Sequence, residues 1–131
     1  MSRENVELVR TVYEGWARGD FRAGSDLLAP DFEWKQSPDA VEPGAHRGAA
    51  VGTALRHLFE VFEDYRIEAE EYLDAGDAVV VVCRARGTAR GSGMTLDQRV
   101  VLVWRARDGK LVGTEAFRNR GDALEAVGLR E

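Results

Sequence analysis

A chain of 131 residues is the size of one domain and long enough to bury a hydrophobic core of its own. Its net charge of −5 makes it an acidic globular sequence without the basic footprint of a nucleic-acid binder. No apolar run approaches the length of a membrane span, and the single cysteine, Cys83, excludes an intrachain disulfide, so a cytoplasmic protein with no membrane contact is expected.

In chain order, Ser2 suits a helix N-cap and Glu4 stands in the first turn, where its charge complements the helix dipole. Val6, Val9, Val12, Tyr13 and Trp16 follow at helical spacing, and Gly19 offers a left-handed stop. Asp20 then caps a short second helix carrying Phe21, Leu27 and Leu28, which ends at Pro30. Phe32, Trp34 and Gln36 alternate with Glu33 and Lys35, which predicts a strand over 31–36. The Pro- and Gly-bearing stretch 37–46 is predicted to be a loop. A third helix, 49–63, carries Val51, Leu55, Leu58, Phe59 and Phe62.

The second half reads as strands near 66–74, 78–90, 95–107 and 110–118. Gln98, Val100, Leu102 and Trp104 alternate with Arg99, Val101, Val103 and Arg105, which places one set on each face of a sheet. Gly91-Ser92-Gly93 and Asp108-Gly109 are turn signals between these runs, and a last helix over 122–127 ends at Gly128. Helices early and antiparallel strands late form the α+β pattern. Curving the sheet around the first and third helices leaves a cone closed by aromatic side chains. On this register Val80, Val82, Val101 and Val103 face away from the helices, interleaved with Arg84, Arg86, Arg99 and Arg105. An apolar sheet face of that kind predicts a homodimer, with the arginines paired to acids of the partner.

The run VRTVYEGWARGDFRAGSDLLAPDFEWKQSP resembles the opening of SnoaL-like proteins of the nuclear-transport-factor-two-like superfamily. The resemblance continues through HRGAAV, LDAGDAVVVVCRARGTARGSG and RDGKLVGTEAFRNRGDALEAVGL, and so covers nearly the whole chain. It implies a cone-shaped, curved antiparallel sheet packed on three N-terminal helices, an internal apolar pocket, and commonly a dimer. It does not imply one activity, because the superfamily includes polyketide cyclases, steroid isomerases, dehydratases, epoxide hydrolases and binding proteins. Ketosteroid isomerases of this superfamily carry a carboxylate base and an oxyanion-binding acid pair. Carried over by position, these fall on Gln36, Val12 and Leu102, and none of the three has the required chemistry. The steroid-isomerase mechanism is therefore not expected.

SnoaL-type cyclases use an acidic pocket residue, and Glu115 is the best surviving acid. Its strand alternates Gly113, Glu115 and Phe117 against Thr114, Ala116 and Arg118, and either set can face inward. Facing an apolar cavity, Glu115 would have a raised pKa suited to acid–base work; otherwise it is a surface carboxylate beside Arg118 or Arg120. His46, between the Pro-rich stretch and the third helix, is the second proton-transfer candidate, with a helix-entry histidine as the plainer reading. The expected pocket wall is Tyr13, Trp16, Phe32, Trp34, Phe59, Phe62, Val100, Leu102, Trp104 and Phe117, with Gln36 and Gln98 as polar points. His46 and His57 stand among scattered acids without ligand spacing, so neither metal nor other cofactor is expected. Two functions follow. One is a cofactor-independent cyclase, isomerase or hydrolase acting by general acid–base catalysis on an apolar or polycyclic metabolite. The other is a noncatalytic binding protein for an apolar small molecule, or an accessory dimer with a vestigial pocket.

Overall fold

A computed structural model describes residues 2–20, 24–36 and 44–129. Helix α1, Ser2–Ala17, lays Val9, Val12 and Tyr13 onto the sheet as its 3.6-residue period requires, and all three are buried. It ends as the sequence predicts: Gly19, at φ 82°, lets its own N–H reach Trp16 O at 3.0 Å and that of Asp20 reach Gly15 O at 2.9 Å. Gly24 packs closely against α1. A Cβ on Gly24 would lie 2.7 Å from Val12 Cγ2, so this contact needs glycine.

The expected second helix is, among the described residues, a single 3-10 turn at Ser25–Leu27; Phe21 lies outside them. Strand β1, Leu28–Gln36, begins earlier than predicted and includes Pro30. Part of the predicted loop is also strand: β2, Gly44–Arg47, pairs with β1 at the sheet edge, while residues 37–43 lie outside the described part. Helix α2, Ala49–Val61, gives way at Phe62 to β3, Phe62–Asp74. Strands β4 (Ala78–Ala89), β5 (Thr95–Arg107) and β6 (Lys110–Phe117) complete the meander, with the Asp108-Gly109 hairpin setting Arg107 opposite Lys110. Helix α3, Arg120–Ala126, starts at Asn119, whose side chain accepts the Asp122 N–H at 2.8 Å.

The six strands form one curved sheet in the order β2-β1-β6-β5-β4-β3. The four late strands pair antiparallel as expected, whereas β1 joins β6 in parallel, so the whole sheet is mixed. Irregularities between Glu63 and Arg66, Ala69 and Glu71, and Arg105 and Ala106 bend the strands where they occur. The sheet curves around α1 and α2, and the third α-helix is the C-terminal one rather than an N-terminal one.

This helix changes the outer face. Ala123 and Leu124 of α3 cover Ala78, Val80, Val101 and Val103, with Phe117 and Leu129 packed alongside. The valines expected at an exposed dimer face are therefore buried within one chain; only Val82 is half-buried. Three of the arginines beyond them also pair within the chain. Arg84 holds Asp97 through two hydrogen bonds of 2.8 and 2.9 Å, Arg99 holds Glu70 at 2.9 Å, and Arg86 pairs with Glu68. Three of the four arginines assigned by sequence to a partner's acids thus pair with acids of this chain.

Candidate functional site

The inner face encloses a cavity of about 610 Å³ between the sheet and α2. Its walls follow from period two along each strand. Strand β5 sends Leu96, Gln98, Val100, Leu102 and Trp104 inward, β1 sends Phe32, Trp34 and Gln36, and β6 sends Thr114 and Ala116. Helix α2 closes the opposite side with Val51, Leu55, Leu58 and Phe59, while Phe62 and Tyr65 come from β3 and Trp16 from α1. Leu58, Phe32 and Trp104 are buried, whereas Gln98 is exposed and marks the mouth.

The aromatic end is built by packing and one polar core contact. Trp104 lies 5.9 Å from Phe32 and 6.2 Å from Trp16, centroid to centroid. Behind it stands Tyr13, whose hydroxyl accepts the Trp104 indole N–H at 2.9 Å and lies 3.4 Å from Cys83 Sγ. Tyr13 does not line the cavity, contrary to expectation; it supports the residue that does. Burial pushes the Tyr13 phenol well above its ordinary range, and it pushes the Cys83 thiol up to about 12. Tyr65, which does line the cavity, is also raised to about 12, first by burial and then by Cys83.

The two proton-transfer candidates fall elsewhere. Glu115 is paired with Val103 on β5, a residue of the core under α3, while its neighbours Thr114 and Ala116 face the cavity. Its carboxylate is therefore on the outer face, and Phe117, expected in the pocket, packs on that face too. His46 lies across the β1–β2 pair from Trp34, with ring centroids 5.6 Å apart, but it is not part of the cavity wall. Trp16, Phe32, Trp34, Gln36, Phe59, Phe62, Gln98, Val100, Leu102 and Trp104 do come together around the cavity. So do Val12, Gln36 and Leu102, the positions onto which the isomerase acids were carried.

Two groups escaped the sequence reading. Tyr65, just ahead of the strand predicted near 66–74, was given no role. Thr114 lies on the alternative face of the strand whose register was open, and it is buried at 7% exposure with its hydroxyl unpartnered. Among the described residues, no three His, Cys, Asp or Glu side chains gather closely enough to hold a metal ion. No helix of the described part is long and apolar enough to cross a membrane.

The family model for the SnoaL-like domain matches residues 9–114. Among solved structures, the chain is similar to an NTF2-like protein from Burkholderia thailandensis E264, with 33% identity and a TM-score of 0.80 over 86% of this chain and 88% of that one. An NTF2-like protein from Burkholderia pseudomallei K96243 shares 26% identity at a TM-score of 0.78, over 95% of this chain and 98% of the other. TerC, co-crystallised with polyporic acid, shares 25% identity at a TM-score of 0.76, over 95% and 98%. No curated protein matches the chain.

Proposed function

The chain belongs to the SnoaL-like family, and on that footing we propose that it is a binding protein for an uncharged, largely apolar small molecule held in the inner cavity. The observation that carries this reading is the chemistry of the wall. Among the described residues that line it, no side chain is a carboxylate, guanidinium, ammonium or imidazole. A charged ligand entering such a site loses its hydration without meeting a counter-charge, which is strongly unfavourable. General acid–base catalysis needs a titratable group within hydrogen-bond reach of the reacting atom. Tyr65 is the one phenol on the wall, and at about 12 it stays protonated at neutral pH. The co-crystal of TerC with polyporic acid supports a small organic occupant for a chain of this fold.

The test compares three probes that share a ring system and differ in charge: 2-naphthol, 2-naphthoate and 2-naphthylmethylammonium. At equal concentration and neutral pH, 2-naphthol should raise the melting temperature and the two ions should leave it unchanged. A larger shift with either ion overturns the reading. Native mass spectrometry of the purified protein gives an independent check, with any co-purified molecule expected to be neutral and apolar.

A further inference from the structure

Thr114 lines the floor of the cavity and carries one unsatisfied polar atom, its Oγ1, which is itself shielded from the cavity space. Thr114 Oγ1 is, among the described residues, the only buried side-chain nitrogen or oxygen without a hydrogen-bond partner. Native proteins rarely leave such a group unpaired, because burying a hydroxyl without a partner costs free energy. The backbone does not relieve it: β6 is an interior strand whose peptide groups serve the ladders to β1 and β5, and none of them bonds Oγ1. Nor can its flanking side chain on β5, because the Trp104 indole N–H is already given to Tyr13.

The register makes this atom the centre of a row. Across the inner face Trp34, Thr114 and Trp104 are direct neighbours on β1, β6 and β5. With strands spaced at roughly 4.8 Å, the two tryptophan backbones stand about 10 Å apart with the threonine between them. The next inward residue of β6 is Ala116, opposite Leu102. Small side chains on β6 between large ones on its neighbours leave a furrow, polar at Thr114 and apolar elsewhere. We propose that Thr114 is the specificity-determining anchor of the cavity: rotation about its Cα–Cβ bond brings Oγ1 to the cavity surface, where it bonds the carbonyl or hydroxyl oxygen of a flat aromatic or polycyclic ligand seated between Trp34 and Trp104. This rests on the cavity being a ligand site.

The experiment titrates 2-naphthol and naphthalene, the same ring with and without an oxygen, into the wild-type protein and the variants Thr114→Val and Thr114→Ser. The wild type should prefer 2-naphthol by about 5–10-fold, the size of one net hydrogen bond. Thr114→Val should abolish that preference and leave naphthalene binding in place, while Thr114→Ser retains it. Without any ligand, Thr114→Val should also melt at the same or a higher temperature, because it removes an unpaired hydroxyl. An undiminished preference in Thr114→Val overturns the anchor alone, and so does a clear loss of stability, which would mean the hydroxyl is bonded within the protein. If neither probe binds the wild type, the cavity reading itself fails and the anchor fails with it.

Discussion

Trp104 and Tyr13 are joined by an indole-to-phenol hydrogen bond of 2.9 Å that ties β5 to α1 across 91 residues of sequence. Both partners are buried, so the bond does not compete with water, and it fixes the indole that forms the aromatic end of the cavity. Preorganising a wall in this way lowers the ordering cost of binding. Tyr13→Phe keeps the ring and leaves the indole N–H without its acceptor, and it should destabilise the fold by about 1–3 kcal/mol. Urea unfolding should show a lower midpoint with an unchanged slope. A midpoint equal to that of the wild type would mean that the bond contributes nothing net.

The thiol behind that pair gives a pH dependence with a definite sign. Burial raises Cys83 from its ordinary 9.0 to about 12 and Tyr65 from 10.0 to about 12, so the folded protein keeps protons that the unfolded chain releases. Where the native state binds more protons, stability falls as pH rises. These groups' contribution is complete below pH 9 and is lost between about pH 9 and pH 12. The melting temperature should therefore begin to drop just above pH 9. Cys83→Ala should move the onset toward the tyrosine range near 10, whereas an onset unaffected by that change would exclude the thiol as its source.

On the outer face, Leu124 seals the valines of β4 and β5 and is itself buried. Leu124→Ala should cost about 2–5 kcal/mol, as expected for a leucine whose site cannot collapse. It should also uncover Val80, Val101 and Val103, so the variant should self-associate more than the wild type. Sedimentation velocity at matched concentrations reads this directly. Identical association in both proteins would place any dimer contact on another surface.

How much of this was legible in the sequence depends on which residues report on a single neighbour. The β4–β5–β6 meander was readable because alternation and the Asp108-Gly109 turn are local signals. The orientation of β6 was not, because Phe117 suggested an inward face while α3 provides a second apolar environment on the outside. Once both faces are covered, a large apolar side chain no longer identifies the inner one. The β1–β6 pairing was equally hidden: it joins strands more than seventy residues apart in sequence, and no turn specifies it. Strand β2 was read as loop because an edge strand of four residues containing glycine has too little alternation to register. Trp16, Trp34 and Trp104 line the cavity, yet the sequence could not separate Tyr13 from them, since a helix stripe does not show which residue stands behind another.

The β6 register supplies the last prediction, which sets two neighbours on one strand against each other. Ala116 faces the cavity and leaves the furrow open beside Leu102, while Glu115 faces the other way, opposite Val103. Ala116→Leu adds three carbons to open space and should stabilise the protein by about 0.5–2 kcal/mol, the usual gain from filling a cavity. It should also weaken 2-naphthol binding at least about tenfold, because the occupant loses the volume that the new side chain takes. Glu115→Gln should change neither quantity by more than about 0.5 kcal/mol, because the two side chains have nearly the same shape and Glu115, half-buried opposite Val103, lies outside the cavity. Melting curves and calorimetric titrations of both variants decide the matter together. Binding lost in Glu115→Gln but retained in Ala116→Leu would put the ligand on the outer face and return the carboxylate to the site.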